Sequence, residues 1–561
     1  MFSRARKTAQ VRLKQPYDDN EILQLSLQSL PQSYTLAQLH DELIGDDGKQ
    51  NVKDDLPNLL ILYSCLHEPF RLDGEDDAEE YLTKLLLWIS FAILPTAEIA
   101  NHDESPEDST NAPRQNALHA ARQKGNLGLQ IILKLLTLPE ISKSSSIPIG
   151  KEVLISILAF TSARDIWSTS TSLATTQQIL ALPLIQSGLE APDFISIDIL
   201  QQFIRPLFSA SKPRTVTAAG RKAMPSTAPL KRYDFDDEKA SRPWLYKTVY
   251  ALAVLEWAVG AISSSTLQTS WPLILPPLLT LLDTPGTPIL TRGLSLITTL
   301  LPKLPPKALA QSGLASVFSD AIIPTTLYLP SITPLSESLQ ILPLAYEALF
   351  TLHDVQFTSP TSIPSPTPST TTTSVQAQKP GLIEQLRKQE RSRITYLTAL
   401  LRNSILTTYL HASQHPPIVT LLLSQLTTLI PRLGIHAVKF LKDIFPILAS
   451  VLTDPFAGAR LQDVTVALET FRVLCTVCWA RIGEVGWRRE GVRCLVCIWG
   501  VVGDIDGNGN GVDGEVLRRV KEEIQTTGRL FAKGVEGMVD LRVELEPLVD
   551  VNSGISDLFG F

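Results

Sequence analysis

What this chain has little of excludes most function classes. Its 561 residues contain only five cysteines and no Asn-x-Ser/Thr acceptor. That is no disulfide framework, and both facts point to a reducing compartment. A basic excess is missing too. The net charge is −7 and the pI about 5.7, against a broad nucleic-acid-binding surface. The most apolar stretch, LLLWISFAILP, is about half the length a bilayer span needs. The basic start, MFSRARKTAQVRLK, lacks the apolar core of a secretory signal. The acidic YDDNE that follows marks it as a solvated tail rather than a mitochondrial presequence. No G-x-S-x-G elbow, P-loop or dinucleotide fingerprint occurs, so no catalytic residue and no cofactor is expected. The expectation is a soluble intracellular protein that binds neither nucleic acid nor membrane.

What is present is helical periodicity. In VTVALETFRVLCTVCWARI, the residues Val464, Leu468, Phe471, Cys475, Cys478 and Ile482 step by four, three, four, three and four. They share one helix face. YLTKLLLWISFAIL, NLGLQIILKLLTL, LYKTVYALAVLEWAVGAI and TYLTALLRNSILTTYL carry similar stripes, and strand-like alternation is scarce. The chain reads as all-α. Proline and polar clusters divide it. The expected blocks are an N-terminal helical block, 1–207, a linker at 208–242, a central block at 243–357, a Ser/Thr/Pro linker at 358–380 and a C-terminal block at 381–561. The composition of 358–380 cannot build a core and predicts disorder, and so, in part, does the linker at 208–242. Within the blocks helices pair. One pair turns at Asp283 and Pro285, with the aspartate placed to cap a helix that holds Arg292, Leu294 and Leu300. A second turns at Asp454 and Pro455. Units of about 40 residues of this kind describe a HEAT-like α-solenoid of antiparallel helix pairs.

Three motifs invite a metal. Cys475, Cys478, Cys494 and Cys497 form two CxxC pairs, a spacing that structural zinc uses. Their spacers, TV and LV, are apolar and sit on helical stripes, so core packing is the expectation. Residues 504–515, DIDGNGNGVDGE, match the calcium loop through Asp504, Asp506, Asn508, Gly509 and Glu515. Gly511 stands where an apolar residue pairs such a loop with a second one, and no second loop exists. A flexible Gly/Asn/Asp loop is expected instead. His411 and His415 lie four apart but lack the HExxH glutamate; the Pro-Pro that follows marks a helix end, where positive charge favours the dipole. The basic run Lys212, Arg214, Arg221, Lys222, Lys231 and Arg232 lies in the first linker without interleaved aromatics. It reads as a solvated linker or a peptide docked by a partner. No metal site is expected.

Several stretches resemble the Tti-two family (Tel-two-interacting protein two). They are LLDTPGTPILTRGLSLITTLLPKLP, the Gly313–Tyr328 segment with Val317, Phe318, Asp320 and Ala321, the Leu433-Gly434-Ile435 step with Lys439, and the end Cys478-Trp479-Ala480-Arg481-Ile482. The likeness covers roughly residues 243 to 490. It implies a non-catalytic scaffold, one of three subunits of the Triple-T (TTT) co-chaperone complex. The implied partners are the two larger helical-repeat subunits and, indirectly, a heat-shock-protein-ninety chaperone and the phosphatidylinositol-3-kinase-related kinases whose stability and assembly the complex supports. The implied location is the cytoplasm, with the nucleus open. The resemblance also implies that the CxxCW stretch is a packed helix end and that the C-terminal block holds the main partner contact. Trp244, Trp257, Trp479 and Trp487 are candidate contact residues, each with core packing as the alternative. The competing readings are another HEAT-like adaptor, in transport or regulation, and a helical protein that binds zinc or calcium.

Overall fold

The structure is a computed structural model. It describes residues 2–44, 55–73, 78–100, 112–138, 149–209, 211, 240–306, 309, 313–357, 380–508 and 514–561. Helices carry most of them, and no β-strand occurs among the described residues; Tyr34 and Leu72 form an isolated bridge. The all-α expectation holds. The chain forms two compact units, Met1–Asp283 and Thr284–Phe561.

In the first unit helices stack in two rows, most of them on the helix two places further along. Ser3–Arg12 packs on Asp55–His67, that helix on Ala112–Leu136, and that one on Ser170–Leu180. The other row runs from Leu36–Leu43 to Ala78–Ala92, then Lys151–Leu158, then Ala251–Ala261. This is the pattern of stacked helix pairs, where each pair hides its apolar faces on its neighbours. Asp55–His67 sits between two helices of its row, and Leu59, Leu60, Ile61 and Leu62 are all fully buried. A helix apolar on every side needs such a place. Starts are set locally. Thr35 with Gln38, and Thr169 with Ser172, form reciprocal capping boxes, each side-chain cap worth about 1 kcal/mol.

The boundary at Asp283 falls inside the block expected at 243–357. Trp244 is fully buried and stacks on Phe208 with ring centres 4.9 Å apart, and its Nε1 donates to Ser211 Oγ at 3.2 Å. Helices Ala251–Ala261 and Ser264–Asp283 then pack on the π-helical segment Phe194–Ile204. Packing therefore joins 243–283 to the first unit, across a linker whose basic run (212–232) lies outside the described residues. So does 358–379.

The turn at Asp283 also differs from expectation. The N-cap of Thr287–Leu300 is Gly286, at φ 112°, a residue with no side chain to cap with. Glycine serves because it alone enters this conformation freely. Arg292, Leu294 and Leu300 are buried as the stripe predicts.

In the second unit Thr287–Leu300 packs on Leu335–Phe357. Pro380–Leu400, Pro416–Leu433, Leu461–Ile482, Gly514–Val535 and Gly554–Phe559 follow as one row. Leu441–Leu452 and Val485–Asn508 form its companion. Aromatic rings run through both. Trp487 stacks on Phe445 (5.3 Å), Phe445 meets Phe471 edge-on (6.1 Å), Phe471 stacks on Phe531 (5.8 Å) and Phe531 tilts on Phe559 (6.4 Å). Buried threonines add polar ties: Thr470 Oγ1 lies 3.0 Å from the Leu423 carbonyl oxygen and 3.0 Å from Thr427 Oγ1.

By length and mean hydropathy, Glu79–Ile99 and Pro416–Leu452 each reach a bilayer span. This corrects the shorter run read from residues 85–95. Here both serve in the packed rows. The second breaks where Gly434, at φ 55°, ends Pro416–Leu433 and a 3-10 segment, Gly434–Phe440, begins.

Two helices of this row meet closely at Gly528, where an added Cβ would collide with the carbonyl oxygen of Leu558. Backbone cannot rotate aside. Gly528→Ala should therefore destabilise the C-terminal packing by about 1–3 kcal/mol, despite alanine's advantage of about 1 kcal/mol in helices. Hydrogen exchange should show lost amide protection across Gly554–Phe559; unchanged protection would refute the contact.

Candidate functional site

The four cysteines of the CxxC pairs do not converge. Cys475 and Cys478 lie on Leu461–Ile482, buried on the stripe read from sequence with Val464, Leu468, Phe471 and Ile482. Cys494 is buried on Val485–Asn508, while Cys497 on the same helix is exposed. All are free thiols. Burial pushes Cys478 up to about 11 and Cys494 up to about 12, and it raises Cys475 as well. Zinc needs thiolates, and these sites favour the neutral thiol. Among the described residues no group of three or more His, Cys, Asp or Glu side chains could hold a metal ion.

The loop expected at 504–515 is helical at both of its ends. Val485–Asn508 remains helical through Asp504, Asp506 and Asn508, and Gly514–Val535 already includes Glu515. The first helix persists because Ile505 packs over Gly458, where an added Cβ would strike its Cδ1. A calcium loop presents alternate ligands from a turn, whereas here the first three candidates share a helical backbone. Residues 509–513 lie outside the described residues.

His411 stands in the last turn of Thr407–Ala412, and His415 occupies the N-cap position of Pro416–Leu433. The pair thus straddles two helices. Of the tryptophans, Trp244 is core. Trp257 and Trp487 are half-buried, and Trp479 is 56% exposed beside a kink at Cys478 (φ −111°, ψ 19°).

A charged cluster that the motifs do not signal joins three helices of the second unit. Arg432 grips Asp354 through two hydrogen bonds, 3.1 and 2.7 Å, and Arg393 donates to the Arg432 carbonyl. The buried ring of His353 places Nδ1 2.8 Å from Asp354 Oδ1, while Nε2 has no partner. Burial lowers the His353 pKa below 6.5, outweighing the pull of Asp354. Burial alone would raise Asp354, but the bonds from Arg432 and His353 hold it below the usual carboxylate range. The signal was four residues spread over 353–432, with no local pattern to mark them.

The surface of the second unit carries two grooves of interest. One, about 510 Å³, is lined by Ile435, His436, Val438, Lys439, Lys442, Arg481 and Trp487. The other, about 430 Å³, is more apolar and lies between Val485–Asn508 and Leu541–Val551, with Val492, Val496, Cys497, Leu545 and Leu548 on its walls. Neither gathers a nucleophile, base and acid in the manner of an active site. A surface of stacked helices with shallow grooves is suited to holding other proteins.

The model of the Tti2 family matches residues 153–459, more than half of the chain. The chain belongs to the Tti2 family. The match begins earlier than the resemblance read at 243–490 and stops before the Cys478–Ile482 end. Within the Tti2 span lie the Gly313–Tyr328 segment and the Leu433-Gly434-Ile435 step, whose Gly434 supplies the helix break described above. No curated protein and no solved structure matches the chain.

Two outcomes follow. A maleimide probe on the native chain should label Cys497 and leave Cys475, Cys478 and Cys494 unmodified until denaturant is added; native labelling at Cys478 or Cys494 would contradict the burial. Stability should also fall on acidification. The folded pKa of His353 is depressed, so its contribution is complete above about 6.5 and is lost as pH drops through the folded value. The Asp354 contribution is likewise lost, at lower pH, below about 4. His353→Asn should flatten the upper slope and leave the part of the lower one that the Arg432 bonds supply, in denaturant titrations across pH.

Proposed function

We propose that this chain is a non-catalytic scaffold subunit of the Triple-T co-chaperone complex, acting with a heat-shock-protein-ninety chaperone to stabilise and assemble phosphatidylinositol-3-kinase-related kinases. The observation that carries the proposal is the Tti2 family match over 153–459. The architecture supports it. Rows of paired helices expose a long surface whose shape is set before any partner arrives, so little ordering is lost on binding. We assign the repeats to the HEAT class on the same helix-pair pattern. The partners would be the two larger helical-repeat subunits. Trp479, exposed at a helix end, has the character of an interface anchor. The cytoplasm, extended to the nucleus, is the location this role requires.

Native purification of the tagged chain, with mass spectrometry of what accompanies it, tests the proposal. Two larger helical-repeat proteins should appear in near-equal amounts, with chaperone or kinase at lower yield. Recovery of the chain alone, or with vesicle-coat or nuclear-transport proteins, would overturn it. Trp479→Ala should lower recovery of a partner without shifting the unfolding midpoint of the free chain.

A further inference from the structure

The groove at residues 435–487 stands out for its charge. The chain as a whole is acidic, at −7. Yet the groove is lined by two lysines, an arginine and a histidine, and no acidic residue lines it. His436, Lys439, Lys442 and Arg481 are exposed. Arg481 has one acidic partner, Glu484, three residues on and itself half-exposed. Such a surface pair exchanges readily for another carboxylate.

The groove is also apolar where a side chain could seat. Trp487 forms part of its wall and is held by stacking on Phe445, so its orientation is fixed before binding. Ile435 is 77% exposed. The helix break at Gly434 puts it there, because the 3-10 segment Gly434–Phe440 departs from the helix axis at φ 55°. Val438 completes the apolar lining. Ile435, Val438 and Trp487 together form an apolar wall, and the cations around it select what can dock there.

We propose that this groove docks an acidic peptide segment of a protein partner, with an apolar side chain seated between Ile435 and Trp487 and flanking carboxylates on Lys439, Lys442 and Arg481. Charge complementarity favours it: a segment rich in Asp and Glu is repelled by the rest of an acidic chain and attracted here, so the groove sets both register and on-rate. The inference deepens the scaffold reading and rests on it only in that the occupant is a protein.

The test uses the full-length chain and a fluorescein-labelled peptide of alternating Glu and Leu around one central Phe, followed by fluorescence anisotropy. The peptide should bind, and the double variant Lys439→Glu, Lys442→Glu should weaken it by at least about ten-fold. The double variant Arg518→Glu, Arg519→Glu, which reverses two exposed charges on another helix and so shifts the net charge equally, should leave binding unchanged. Salt should weaken binding steeply, since exposed charges are screened within about 10 Å at ~0.1 M. The same peptide with Lys for Glu should not bind. Circular dichroism of the double variant confirms the fold, which these exposed side chains do not hold. Equal binding by wild type and double variant, no binding at all, or displacement by single-stranded RNA in preference to the Glu peptide would each overturn the proposal. Partners that co-purify equally with wild type and double variant would leave the scaffold reading standing and remove the groove. Loss of all partners from wild type, with the peptide still bound in the groove, would do the reverse.

Discussion

The structure depends on helices burying their apolar faces on the helix two places further along. Each face is incomplete by itself. Leu461–Ile482 shows this most clearly. Its stripe from Val464 to Ile482 is covered by Pro416–Leu433 on one side and Gly514–Val535 on the other. Remove either neighbour and a row of leucine, phenylalanine and cysteine faces water. Stability in such an arrangement is a sum of neighbour contacts rather than the property of one central core. The aromatic series from Trp487 through Phe445, Phe471 and Phe531 to Phe559 ties both rows of the second unit into that sum, each pair adding about 0.5–1.5 kcal/mol beyond simple burial.

The same constraint acts on the described residues of the metal motifs. Four sulfurs spaced for zinc sit on two helices whose buried faces need small apolar residues, and three of them fill that need. The calcium pattern is overtaken by a helix that continues because Ile505 finds Gly458 to pack on. Burial, which raises the thiol pKa values, is a consequence of the stacking and works directly against metal chemistry.

Function in a protein of this construction lies in what the rows leave uncovered. The charged cluster of His353, Asp354, Arg393 and Arg432 is spent on holding helices together, with a carboxylate kept ionised by the guanidinium that grips it. The groove beside Ile435 is different. Its cations are exposed, with Arg481 paired to the half-exposed Glu484 and Lys439 lying over the Phe440 ring, and Trp487 in its apolar wall is held by Phe445. Membership of the Tti2 family places such surfaces in the setting of protein assembly.

The sequence by itself determined the helices, the residues each would bury and the rough places where they turn, because a stripe at 3.6-residue spacing is a local property. Val464, Leu468, Phe471, Cys475, Cys478 and Ile482 are the proof, every one of them buried. The family, too, was legible in Gly313–Tyr328 and Leu433-Gly434-Ile435, since the packing of a repeat constrains its own segment. Tertiary structure alone decided the rest. That 243–283 packs with the first unit rests on Trp244 meeting Phe208 across a linker. That Gly286 starts a helix where Asp283 was expected to cap it rests on the turn's backbone. The basic groove exists because Gly434–Phe440 and Leu441–Leu452 pack on Leu461–Ile482, and Leu441–Leu452 on Val485–Asn508, bringing residues 435–442 beside Arg481 and Trp487. Contacts between distant segments carry no period along the chain, so no local pattern announces them.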